Sequence, residues 1–122
     1  MILSRIILFG NDIDGLKAFY QSIFNFPLIE EIEGEWLVFN SGSLEIAFHK
    51  IGESFRKEIP FKAESNTKLV FSIDKDIEDC RKKLIEKGVK MESVKSFENI
   101  DFLFCDGEDI EGNVFQLSQK KA

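Results

Sequence analysis

A strand, an acidic cap and an amphipathic helix follow one another in this chain, and the same succession then occurs a second time. The first copy reads Arg5-Ile-Ile-Leu-Phe-Gly-Asn-Asp12-Ile13 and continues as an amphipathic stretch that stops at Asn25-Phe26-Pro27-Leu28. The second reads Lys68-Leu-Val-Phe-Ser-Ile-Asp-Lys-Asp76-Ile77, and its amphipathic stretch stops at Gly88-Val89. Repetition at this spacing points to a duplicated module, and such modules characteristically set a cavity between their halves.

Local patterning fills in each copy. Residues 5–9 are β-branched or aromatic with few breaks and read as a strand buried on both faces. Asp12 is placed to cap a helix whose apolar stripe is Ile13, Leu16, Phe19, Tyr20, Ile23 and Phe24. Strands are expected at Leu28–Ile32, Glu35–Asn40 and Leu44–His49, separated by turns at Glu33-Gly34 and Ser41-Gly42-Ser43. The order restarts with a strand at Leu69–Ile73, a cap at Asp76 and a stripe of Ile77, Cys80, Leu84 and Ile85 closed by Gly88. Further strands are expected at Lys90–Val94, at Asp101–Cys105 and, after the turn Glu111-Gly112-Asn113, at Val114–Ser118. The reading is one α+β domain over residues 1–122, with βαβββ modules at about 1–50 and 67–122 and a linker over 51–66.

Composition narrows the class. The 122 residues suffice to bury a core without disulfide or metal staples. Hydrophobic residues at 43% and charged residues at 31% describe a soluble globular chain. A net charge of −6 with scattered lysines argues against nucleic acid, which requires clustered cations. Cys80 and Cys105 form no CxxC pair and read as reduced thiols. The apolar start, Met1-Ile-Leu-Ser, is too short and too soon acidic for a leader or a membrane span, so the expected location is the cytoplasm. Thirteen Phe are mostly core filler, although a Phe-rich cavity wall is a second use for them.

Three segments together resemble the vicinal oxygen chelate superfamily, which includes glyoxalase I, bleomycin and fosfomycin resistance proteins and extradiol dioxygenases. Arg5 through Phe19-Tyr20 resembles its opening strand, acidic cap and helix; Lys68–Gly88 resembles its second strand and helix. Asp109-Ile-Glu-Gly-Asn-Val-Phe-Gln116-Leu117 is similar to its closing DPDGN-x-x-E-L pattern, with Ile110 in place of the usual Pro. The resemblance implies two βαβββ modules forming a curved mixed sheet around a cleft, with helices on the outer face. Enzymatic members hold a divalent ion there with His, Glu or Gln side chains from both halves. The matching positions are Arg5 on the first strand, Glu45 on the fourth, Lys68 on the fifth and Gln116 on the eighth. Arg and Lys carry donors and no free lone pair at neutral pH, so they coordinate no such cation. The expectation is therefore no metal and no cofactor.

Strand alternation places Arg5, Ile7 and Phe9 on one face, with Glu45, Ala47 and His49, with Lys68, Val70 and Ser72, and with Val114 and Gln116. Two uses follow for the charged set. Arg5, Glu45 and Lys68 form a structural salt-bridge network where the ion would sit, or they leave a net positive site for an anionic group on a small apolar or aromatic molecule. Trp36, on a strand beside the cleft in the resembled fold, is a stacking candidate or a core residue. The lone His49 is a surface or strand-end residue, a ligand-contacting or proton-transfer residue or, least favoured, part of a metal set with Glu45 that would not be the site of the resembled family. Glu30, Glu31, Glu33 and Glu35 read as a solvated acidic hairpin with no assigned role. Asp12, Tyr20, Gly112 and Asn113 read as cap, core and turn residues. The function expected is a metal-independent small-molecule-binding protein of the bleomycin-resistance type, a homodimer by resemblance. Its alternative is a lyase, isomerase or dioxygenase-like enzyme of the same superfamily; a third reading is a regulatory or scaffold module whose cavity is filled by Phe9, Phe102 and Phe104.

Overall fold

The computed structural model describes residues 1–52 and 66–122. The expected linker lies outside the described residues except at its ends. The chain divides into two compact units, Met1–Phe61 and Lys62–Ala122, and among the described residues each has its own mixed sheet and one helix. The α+β class read from the sequence is what the chain adopts.

In the first unit the elements run β1 (Arg5–Gly10), α1 (Ile13–Ile23), β2 (Leu28–Ile32), β3 (Trp36–Asn40) and β4 (Glu45–Lys50). Their order in the sheet is β1-β4-β3-β2, with β1 parallel to β4 and the other pairs antiparallel. Asp12 Oδ1 accepts from the Gly15 N–H at 3.0 Å, satisfying an amide that the first helical turn leaves open. At the other end Asn25 takes the left-handed conformation (φ 56°), which an Asn tolerates, and Pro27 follows where no helix can continue. The helix buries Ile13, Leu16, Phe19 and Tyr20. Tyr20 is the centre of this core, with its ring centroid 4.7 Å from that of Phe48 and 5.9 Å from that of Phe39. Such contacts, with full burial, contribute roughly 1.5–3 kcal/mol per large apolar side chain. Glu31 faces the helix side of the edge strand, where Lys17 Nζ reaches it at 2.8 Å. That hydrogen bond raises the Lys17 pKa.

One expectation is corrected here. β1 is not buried on both faces: Ile6 and Leu8 are half-buried, whereas Arg5, Ile7 and Phe9 are exposed. The helix covers only one side of the sheet, so an edge strand read as continuously apolar carries an open apolar row.

The second unit runs β5 (Leu69–Ser72), α2 (Ile77–Glu86), β6 (Lys90–Met91), β7 (Lys95–Ser96), β8 (Phe102–Glu108) and β9 (Val114–Lys120). The path through its sheet is β5-β9-β8-β6, and β7 also pairs with β8. Asp76 caps α2 through Asp79 N–H (3.1 Å). Gly88, at φ 87°, closes the helix: its N–H bonds to Ile85 O and the next amide, Val89, to Leu84 O. Ile77 is buried, Cys80 and Leu84 are half-buried and Ile85 is exposed, so the predicted stripe overreached by one residue.

The single strand expected at Lys90–Val94 is two short ones. Met91 opposes Gly107 and Lys95 opposes Phe104, so four steps along one strand match three along the other. Between them the Glu92 carbonyl is taken by Arg81 Nε (2.7 Å) and Cys105 Sγ (3.3 Å), which interrupts the ladder. The described residues thus hold nine strands, and Gln116 lies on the ninth rather than the eighth. Asp109 organises the β8–β9 turn. Its Oδ1 accepts from the amides of Glu111 and Asn113, and its Oδ2 from Asn113 Nδ2. Both cysteines are free, and burial pushes the Cys105 thiol above its ordinary pKa. Among the described residues no helix is long and apolar enough to cross a membrane.

Candidate functional site

Each unit presents a sheet face opposite its helix, and the residues singled out from sequence fall on these faces. In the first unit the register aligns Arg5, Glu45 and Asn40 in one row, Ile7, Ala47 and Val38 in the next, and Phe9, His49 and Trp36 in the third. The middle row is small and fully buried at Ala47 and Val38. Large side chains from the outer rows approach each other across it. The Arg5 guanidinium carbon stands 5.5 Å from the centroid of the Trp36 ring, within the range of a cation–π contact. His49 meets the same ring edge-on at 5.7 Å and lies 6.0 Å from Phe9.

Two carboxylates fix this arrangement. Glu45, the register partner of Arg5, accepts from Arg5 Nε at 2.9 Å and pairs with Nη2 at 2.8 Å, both on Oε1. Glu30 Oε2 accepts from Trp36 Nε1 at 2.8 Å. The acidic hairpin, given no role from sequence, therefore supplies one residue that orients the indole and one, Glu31, that ties the helix to the sheet.

In the second unit Lys68 stands just before β5, and its ammonium pairs with Asp106 Oδ2 at 2.7 Å. Gln116 lies across the ladder from Asp106 and donates Nε2 to its Oδ1 at 2.9 Å. Within its own unit Lys68 is held by Asp106, as Arg5 is held by Glu45 in the first. Partial burial favours the neutral form of Asp106, but the hydrogen bonds from Lys68 and Gln116 and the charges of Lys68 and Lys95 outweigh it and lower its pKa. Phe102 and Phe104 stack on this same face (6.5 Å) with Phe97 beside Phe104. Phe9, Phe97 and Phe102 are exposed in the chain, not core filler.

These donor sets do not suit a divalent ion. Of the four resemblance positions two are cationic, and each cation already engages a carboxylate. Among the described residues no group of three or more His, Cys, Asp and Glu side chains is placed to hold a metal. The described neighbours of His49 are aromatic rings, and no described carboxylate orients it. What the first face can do is accept a flat or apolar body against Trp36, His49 and Phe9 beside a guanidinium.

The sequence model of the Glyoxalase/Bleomycin resistance protein/Dioxygenase superfamily matches residues 2–117. No curated protein matches the chain by sequence. Among solved structures, lactoylglutathione lyase from Agrobacterium tumefaciens superposes with a TM-score of 0.78 at 18% identity, over 97% of this chain and 92% of that one. The genomically encoded fosfomycin resistance protein of Listeria monocytogenes gives 0.77 at 20%, over 99% and 94%. A variant of the latter complexed with Mn(II) and a dihydroxypropylphosphonic acid gives 0.75 at 21%, over 96% and 90%. At these identities the likeness is one of fold.

Proposed function

This chain belongs to the glyoxalase/bleomycin resistance protein/dioxygenase superfamily, and from that premise we propose that it is a small-molecule-binding protein of the bleomycin-resistance type, acting without a metal ion. The observation that carries the reading is Arg5. It occupies a position where the resemblance expects a metal ligand, yet it is ion-paired to Glu45 and lies against Trp36. A guanidinium beside an indole suits a ligand that joins a flat apolar body to an anionic group such as a carboxylate or phosphate. Binding is the whole of the activity in this reading, and no bond is made or broken. We place the protein in the cytoplasm and expect it to work as a homodimer.

The test is metal analysis by mass spectrometry on protein purified without chelator, repeated after incubation with zinc, nickel, manganese and iron(II) followed by desalting. The expected result is metal far below one equivalent, with binding of small aromatic acids in a subsequent screen. Retention near one equivalent would overturn the reading in favour of the lyase or dioxygenase alternative.

A further inference from the structure

We infer that Glu45 is a tethered stand-in for the ligand's anionic group, occupying Arg5 until that group displaces it. The inference rests on the anion-binding reading of the same face and adds how the site is regulated. Three observations support it. First, Glu45 holds Arg5 through Oε1 alone in its described contacts, leaving the guanidinium edge formed by Nη1 outside the pair. Second, both side chains remain about one-third exposed, 36% for Arg5 and 35% for Glu45, so solvent and solutes reach the pair. Third, the cation lies over the ring of Trp36, whose own N–H is anchored on Glu30. Arg5 can therefore exchange one carboxylate for another without losing its seat on the ring.

The second unit shows what a fixed pair looks like. Asp106, 24% exposed beside a Lys68 that is 48% exposed, is held on both oxygens, by Lys68 on one and by Gln116 on the other. Glu45 has no such second anchor among the described residues. A partly exposed pair of this kind is weakly held, so an incoming carboxylate or phosphate can displace it.

The consequence is a sign. Removing the negative charge from a residue in contact with the site should strengthen anion binding, because the internal competitor is lost. Benzoate, phenyl phosphate and the neutral benzamide are titrated against wild type, Glu45→Gln and Glu45→Ala, following the emission of Trp36, the chain's one tryptophan. Thermal melting of each protein confirms folding. The expected result is about a fivefold tightening of benzoate and phenyl phosphate in both variants, with benzamide unchanged. Arg5→Gln should lose the preference for the anions over benzamide. Unchanged or weaker anion binding in both Glu45 variants overturns the inference while leaving the binding reading intact. So does equal tightening of benzamide, which would mean that Glu45 merely obstructs the face. If no anion binds to any of the proteins, both the anion reading and this inference fall; if benzamide alone binds, the binding reading survives without its anion.

Discussion

Asp106 is the residue whose chemistry departs most from what its place in the chain suggests. It is a half-buried carboxylate on a strand, held by Lys68 and by the Gln116 amide, with Lys95 also favouring its charged form. A group whose folded pKa is lowered favours the folded state wherever it is ionised. Its contribution is complete above the ordinary aspartate range and disappears as pH falls through the lowered value. Asp106→Asn should therefore cost about 0.5–1 kcal/mol at neutral pH, a figure kept small because the pair is partly exposed. The deficit should shrink towards zero in acid. Urea denaturation of both proteins across that range checks it, and a deficit that stays constant with pH would show that the charge is not what matters.

At the scale of elements, β8 is the instructive strand. It runs through Asp106-Gly107-Glu108, residues with poor strand propensity, beyond the Cys105 at which the strand was expected to end. What overrides propensity is packing. A Cβ at Gly107 would collide with Met91 Sδ and would come within 2.6 Å of Phe115 Cζ, so the absence of a side chain lets β6 and β9 close over the strand. Gly107→Ala should destabilise the fold by about 1–3 kcal/mol, read as a lowered melting temperature; an unshifted melt would mean the neighbours yield freely. Helix starts were legible because a cap depends on one side chain and its nearest amides, as Asp12 and Asp76 show. The Arg5–Glu45 partnership was within reach because each residue had a matched position on its strand. Asp106 was missed because tertiary packing, not local preference, carries the strand past Cys105.

At the scale of the whole molecule, Ile7, Phe9 and Ile32 of the first unit are exposed apolar side chains of a kind that a second copy could cover. The homodimer proposed above would bury them. Sedimentation equilibrium at micromolar concentration should give twice the 14.0 kDa chain mass, falling towards the monomer with Phe9→Asp; a wild-type monomer would refute the dimer. The topology also dictates an order of events during synthesis. β1 is the first strand of its unit to emerge from the ribosome, yet its ladder partner, β4, is the last, and the two lie parallel. β1 must therefore wait without its ladder partner through most of the unit's translation. The second unit repeats the delay with β5 and β9. This chain has its interval of greatest need for a chaperone built in twice, once for each closing strand.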